Sequence, residues 1–275
     1  MCELLSISSD HPVDVKFSLT QFAEHGGKTG PHRDGWGIAY YEGRDVRRIR
    51  EAEAASSSDW VRFIEHHDLR SQIVIGHIRY AVTGGRCLSN TQPFTRELGG
   101  RVHVFAHNGD IPGIFASDQF RLRRFAPIGD TDSEHAFCLL MDRMESVWQN
   151  AADGPTREER MAVIVQFADE MRELGSANFL YSDGDLIFAH SHRRKISGPD
   201  SDYGTGLHFL CRSCQRETAE KFSTPGLSIS GLSHSNAAIQ NVVLVASVPL
   251  TDECWSPLST GEIIMISNGE IIERR

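Results

Sequence analysis

The chain begins Met1-Cys2-Glu3-Leu4-Leu5-Ser6-Ile7-Ser8. Its apolar residues start at once and predict a strand over Glu3–Ser8 with a cysteine at its head. Methionine is normally trimmed when the second residue is small, which would leave Cys2 with both a thiol and a free α-amine. An α-amine titrates near ~7.7–8.0, so a useful fraction is neutral at neutral pH. One residue then supplies nucleophile and base, as an N-terminal threonine does with its own amine. The plain alternative is a small buried cysteine that happens to stand second.

Outward from this strand, the first half holds further β-rich runs. These are Trp36–Tyr41, entered through Asp34-Gly35, then Ile73–Arg79 and Val102–His107. A short helix is predicted from Ser58, burying Trp60, Phe63 and Ile64. Two longer helices follow. Thr131-Asp132-Ser133-Glu134 has capping-box spacing, with Phe137, Leu140, Met141, Met144 and Trp148 at helical intervals after it. Thr156 and Glu159 repeat the box, and Gly175 is the expected stop. The short gap between them predicts an antiparallel pair. In the last third, Ser182-Asp183-Gly184-Asp185 and Asn268-Gly269 are hairpin signals between apolar runs, and Val242–Val245 reads as a buried strand. The Gly- and Ser-rich stretch 198–241 is expected to be a loop-rich decoration of one domain spanning 1–275. Strands, a helix pair and strands again give the α+β class.

With 275 residues, 40% of them hydrophobic, the chain can bury a sizeable core. A net charge of −9 argues against general binding to nucleic acid or anionic membranes, which needs a basic surface. No apolar stretch approaches about 18 residues, so no membrane span is expected. No signal-peptide pattern is visible. Six cysteines without one read as free thiols of a reducing compartment, which gives a cytoplasmic expectation.

Three further segments carry chemistry. Phe105-Ala106-His107-Asn108-Gly109-Asp110 runs a strand into Asn-Gly. The Asn108 amide and the Gly109 N–H, unobstructed by a Cβ, could form an oxyanion hole. The same pair could instead be a hairpin turn. Ile75 to Gly85 is a buried-looking run that carries Arg79, whose planar fork suits a carboxylate, either a ligand's or a structural partner's. Asp132 stands at a helix start, where the dipole favours its ionised form, as a counter-ion for an ammonium or as an ordinary first-turn acid. Together these parts could hold a free amino acid by its α-carbon while its side-chain carbonyl is attacked.

At this point the sequence resembles the class II glutamine amidotransferase domain, a branch of the N-terminal nucleophile hydrolases. The matching segments are Met1–Leu5, Asp34-Gly35-Trp36-Gly37-Ile38-Ala39-Tyr40-Tyr41, Gly76-His77-Ile78-Arg79-Tyr80-Ala81, Asn90-Thr91-Gln92-Pro93-Phe94, His107-Asn108-Gly109 and Asp130–Glu134. They fall in the family's order, and the Asp-Gly-Trp-Gly form resembles its small stand-alone bacterial members. The resemblance implies a four-layer αββα sandwich with Cys2 heading a central strand. It implies Cys2 as nucleophile, Asn108 and Gly109 as oxyanion donors, Arg79 on the glutamine α-carboxylate and Asp132 on the α-ammonium. Tyr80 and Thr83 are implied more weakly, since Val82 is inserted relative to the commonest pattern. No cofactor or metal is expected, and because 275 residues leave nothing obvious for a synthase domain, either a separate protein accepts the ammonia or another γ-glutamyl amide is hydrolysed outright. Two other readings stand beside it: a non-catalytic binding protein that keeps the fold, and a form with Met1 retained, which caps the amine and blocks the site. The oligomeric state is left open, a homodimer being one arrangement.

Other motifs carry less. Gly26-Gly27-Lys28-Thr29-Gly30 lacks the glycine a phosphate loop needs where Phe22 stands. Cys211 and Cys214 have zinc-like spacing but no second pair at a standard interval. His103 and His107 share one strand face without a carboxylate beside them. The arginines at 47, 48 and 50 and at 121, 123 and 124 read as solvated faces or local ion pairs in an acidic chain.

Overall fold

Leu5 and Ile7 point to one side of the first strand and Leu4 to the other, and all three are buried. A strand apolar on both faces must be covered on both, so it lies inside a layered structure rather than on its surface. The computed structural model describes residues 2–14, 16–67, 69–149, 154–195, 203–215, 222–224, 227–229 and 239–275.

In chain order the elements are β1 (Glu3–Asp14), α1 (Lys16–His25), β2 (Trp36–Glu42), β3 (Asp45–Glu51), α2 (Asp59–His66), β4 (Arg70–Ile78), β5 (Phe94–Leu98) and β6 (Arg101–Asp110). The helices α3 (Asp132–Trp148) and α4 (Arg157–Leu174) follow, then β7 (Ser176–Ser182), β8 (Ile187–His190), β9 (Arg193–Lys195), β10 (Tyr203–Thr205) and β11 (His208–Gln215). The chain ends with β12 (Phe222–Thr224), β13 (Leu227–Ile229), β14 (Ile239–Ala246), β15 (Ser256–Pro257), β16 (Ile263–Ser267) and β17 (Glu270–Arg274).

Among the described residues two large antiparallel sheets form, beside the small pairs β9-β10 and β12-β13. One has the order β15-β11-β14-β1-β4-β2-β3, the other β17-β16-β8-β7-β6-β5. They meet through Leu4, Ala39, Ile75 and Val245 on one side and Val104, Ala106, Leu180 and Ile264 on the other. The outer face of the first sheet packs on Phe22 and Ala23 of α1 and on Val61 and Ile64 of α2. The outer face of the second carries α3 and α4 through Phe137, Leu140, Phe167 and Met171. The order of layers is therefore helix, sheet, sheet, helix: the four-layer αββα sandwich. Among the described residues no helix is long and apolar enough to cross a membrane.

Local signals explain several boundaries. Thr156 and Glu159 form a reciprocal capping box at the start of α4, and Gly175 caps its end. Asn268 and Gly269 both take positive φ (48° and 74°), the pair a type I′ turn requires, and join β16 to β17. Several expectations need correction. Ser58 caps α2 as expected, but Trp60 and Phe63 are 49% and 44% exposed. The inner face is taken by Val61 and Ile64, while the two aromatics pack edge to face on each other at 5.6 Å. At α3, Thr131 accepts from the Glu134 N–H at 3.2 Å, yet Glu134 does not reach back. Its carboxylate takes Gly129 N–H and the Arg96 guanidinium, a charged partner that outcompetes the box. Residues 208–215, placed in a loop-rich decoration, form a strand paired to both β14 and β15. The remainder of 198–241 lies partly outside the described residues, as does the Cys214 side chain. Cys211 is an exposed free thiol on β11.

Candidate active site

Cys2 stands just ahead of β1. The register Glu3↔Ile78 brings it opposite the end of β4, where Arg79 and Tyr80 leave the sheet. Its Sγ lies 3.3 Å from the Tyr80 N–H and 3.4 Å from the Tyr80 carbonyl. The thiol can donate to the carbonyl, and the thiolate can accept from the N–H. Burial pushes the thiol pKa up; the Tyr80 N–H and the Arg79 charge oppose it, and Asp132 adds to the rise. An unassisted thiol here is therefore mostly protonated, and attack needs a base to take that proton.

The Arg79 side chain is 3% exposed. Its Nη1 donates to the Gly85 carbonyl at 3.0 Å and faces that of Asp34 at 3.5 Å; Nη2 donates to Thr83 and Gly84 at 3.1 Å each. Four of the five N–H groups are thus aimed at backbone carbonyls, and Nε–H remains. No carboxylate bonds this guanidinium among the described residues. Arg79 thus has no ion-pair partner among the described residues and holds the 83–85 turn in place. The Asp34 carboxylate fixes the start of that turn by accepting from Ala81 N–H at 2.8 Å.

Strand alternation on β6 turns His107 toward α3, and Asn108 into the layer between the sheets with Val104 and Ala106. The Asn108 Nδ2 donates at 3.3 Å to Ser247 Oγ, a hydroxyl that also accepts from Leu4 N–H at 3.0 Å, and Oδ1 is buried without a partner among the described residues. Gly109 does reach the site. A Cβ there would lie 1.7 Å from the Ser176 carbonyl oxygen, so only glycine lets β6 pair so closely with β7. Asn108-Gly109 lies inside a strand rather than at a hairpin turn.

Asp132 opens α3, with Oδ2 accepting from Ile111 N–H and Oδ1 from Ser133 N–H, at 2.8 and 2.7 Å. His107 packs beside it. Its Nε2 faces the Ser176 carbonyl at 3.3 Å and must carry the proton, so Nδ1 accepts from the Ser133 hydroxyl at 2.8 Å. Burial holds this imidazole below its usual pKa and so neutral, against the pull of Asp132.

Cys2, Arg79, Tyr80, Thr83, Gly109 and Asp132 line one cavity of about 70 Å³, together with Gln92, His107 and Asp110 among others. A volume so far below the ~300–1,000 Å³ of drug-sized sites suits a small metabolite. Of the residues named from sequence, only Asn108 stands off its wall. The sequence reading did not single out Gln92 or Asp110. Gln92 brackets the His107 peptide, accepting from its N–H at 2.6 Å and donating to its carbonyl at 3.1 Å. Asp110 is a second acid, its pKa raised by partial burial and by Asp132. A polar residue beside Asn108-Gly109 was the available signal for it.

Comparison with known proteins gives the family. The family profile of class II glutamine amidotransferases matches residues 1–275. YafJ of Escherichia coli, itself only provisionally assigned as a glutamine amidotransferase, is 34% identical over 98% of this chain and 99% of its own. The crystal structure of a provisionally assigned glutamine amidotransferase from Pseudomonas aeruginosa superposes with a TM-score of 0.66 at 33% identity, covering 99% of this chain and 100% of that one. Glutamine phosphoribosylpyrophosphate amidotransferase from B. subtilis shares the fold at 14% identity, with a TM-score of 0.58 over 100% of this chain and 49% of its own. The chain belongs to the class II glutamine amidotransferase family.

Proposed function

We propose that the protein hydrolyses the side-chain amide of glutamine with Cys2 as nucleophile. The observation that carries this reading is the single cavity shared by the Cys2 thiol, the buried Arg79 guanidinium and the Asp132 carboxylate. Those charges complement the two ends of an amino-acid zwitterion. Removal of Met1 frees the Cys2 α-amine, which takes the thiol proton directly or through a water. The thiolate attacks the amide carbon, and the Gly109 N–H meets the developing oxyanion. Asn108 joins it by turning Nδ2 away from its long 3.3 Å contact with Ser247. The α-amine returns the proton to the leaving ammonia, the γ-glutamyl thioester remains, and water releases glutamate. General-base help of this kind contributes typically ~10²–10⁴-fold. Arg79 faces the α-carboxylate with its charge and Nε–H, and Asp132 faces the α-ammonium. Ammonia passes to a separate acceptor protein or is released.

The test is ammonia and glutamate release from glutamine by the mature protein and by Cys2→Ala. The reading requires turnover in the first and none in the second; equal rates would rule out Cys2 as nucleophile.

A further inference from the structure

Ser247 is buried just after β14 and meets both β1 and Asn108. We propose that it is a positioning residue of the oxyanion site: its hydroxyl donates to the Asn108 Oδ1, which frees the Asn108 NH2 for the substrate oxyanion. This rests on the Cys2 reading above.

The first argument is a fixed frame. The Ser247 N–H donates to the Leu4 carbonyl at 3.0 Å, and its Oγ accepts from the Leu4 N–H, also at 3.0 Å. This clasp carries the β1–β14 pairing one step past Leu5↔Ala246, with a hydroxyl in place of a carbonyl. It sets the Ser247 oxygen on a residue only two positions from Cys2. Asn108 is held from the other sheet. It pairs with Asn178 across β6 and β7, and its carbonyl accepts from Asn178 Nδ2 at 2.9 Å. Its neighbour Gly109 lines the Cys2 cavity. With the backbone and the hydroxyl both fixed, the freedom left to the buried amide is rotation about Cβ–Cγ.

The second argument is a count of donors and acceptors. With Nδ2 on Ser247, the hydroxyl oxygen accepts twice, from Leu4 N–H and from Asn108, and its own proton meets no acceptor among the described residues. The buried Asn108 Oδ1 meets no donor there either. A proton and an acceptor thus both go unused at one contact. A half-turn of the amide exchanges its oxygen and nitrogen and keeps its shape. The Ser247 proton then bonds Oδ1, the Leu4 N–H keeps its acceptor, and only the NH2 is left over. A buried donor without a partner is costly in the free enzyme, and a developing oxyanion relieves that cost. The run from Leu4 N–H through the Ser247 hydroxyl to Asn108 Oδ1 therefore decides which end of the amide meets substrate. No proton changes hands at Ser247, which acts only through the orientation of Asn108.

The test measures glutamine turnover and Cys2 alkylation by iodoacetamide in the mature wild type, Ser247→Ala, Asn108→Ala and the double variant. Displacement at the saturated carbon of iodoacetamide develops no oxyanion, so it reads the thiol alone. Ser247→Ala should lower kcat about ten- to hundred-fold, less than outright loss of a donor, with KM and the alkylation rate unchanged. Added to Asn108→Ala, the same change should cost nothing further. Ser247→Thr keeps the hydroxyl and should recover most of the lost kcat. If the alanine variant does not fold, Ser247→Cys, whose thiol is a weak donor, takes its place in every comparison. A kcat within about two-fold of wild type, an effect undiminished beside Asn108→Ala, or a kcat and an alkylation rate that fall together would overturn the proposal. So would a Ser247→Thr variant as slow as Ser247→Ala. A mature wild type that neither releases ammonia nor is labelled at Cys2 would instead sink the Cys2 reading; an active, labelled wild type indifferent to Ser247 sinks the positioning role alone.

Discussion

Arg79→Ala separates two jobs that one guanidinium performs. Its Nη atoms hold the Thr83, Gly84 and Gly85 carbonyls at 3.0–3.1 Å, while the residue also lines the cavity. Truncation strands those carbonyls, but Thr83 and Gly85 are exposed, so water replaces the lost donors. The stability loss is then near the low end of about 0.5–1.5 kcal/mol per bond. At about 2–4 °C of Tm per kcal/mol, the protein stays folded at assay temperature. Binding suffers more. A charge-assisted bond to a carboxylate contributes about 1.5–3 kcal/mol, so KM for glutamine should rise roughly ten- to hundred-fold. The Cys2 thiol also loses a positive neighbour that lowers its pKa, so alkylation at fixed pH should slow. Steady-state ammonia release is the assay, run with glutamine and with 4-aminobutanamide, which lacks the α-carboxylate. The penalty should appear for glutamine and nearly vanish for the analogue. An equal penalty for both would mean that Arg79 only shapes the turn, and an unchanged KM would refute the carboxylate assignment outright.

Other outcomes follow from single contacts. Gly109→Ala puts a methyl 1.7 Å from the Ser176 oxygen, so β6 must shift from β7; kcat should fall about 10²–10³-fold with a measurable Tm drop, and a fully active variant would remove Gly109 from the mechanism. Asn108→Asp removes the amide donor while keeping the shape, and should lower kcat far more than KM; a kcat within two-fold of wild type would leave Gly109 as the sole donor. The His25–Glu3 pair at 2.7 Å predicts a pH signature. The bond from Glu3 raises the His25 pKa, so its contribution is complete below about 6.5 and fades as pH rises through the raised value. Burial would push Glu3 up, but His25, His32 and Arg194 outweigh it and hold it below about 4.5, so its contribution fades only as pH falls through that lowered value. Thermal melts of wild type against His25→Gln should differ most at pH 5–6 and converge above about 8; a constant difference would refute the pairing.

The parts of this molecule written in local chemistry were legible. A capping box sets the start of α4, and an Asn-Gly turn with two positive φ angles sets the β16–β17 hairpin. What depended on distant partners was not. Nothing local to Trp60 and Phe63 says that Val61 and Ile64 will take the buried side of α2. β11 hides in a polar stretch because its pairing comes from β14, some thirty residues on. The site followed the same division. Cys2, Arg79 and Asp132, each picked out by its own chemistry, line one cavity. Where the Asn108 amide points is decided by alternation along β6, not by residue type. Gln92 went unnoticed because its contribution is a pair of bonds to one peptide across the fold.

The most direct measurement is the intact mass of the purified protein before and after exposure to an electrophilic glutamine analogue. A mass short by one methionine, one covalent adduct mapped to Cys2 and none in Cys2→Ala is the outcome this account requires. A protein that has lost Met1 yet stays unlabelled, or is labelled at Cys87 or Cys211 instead, would contradict it.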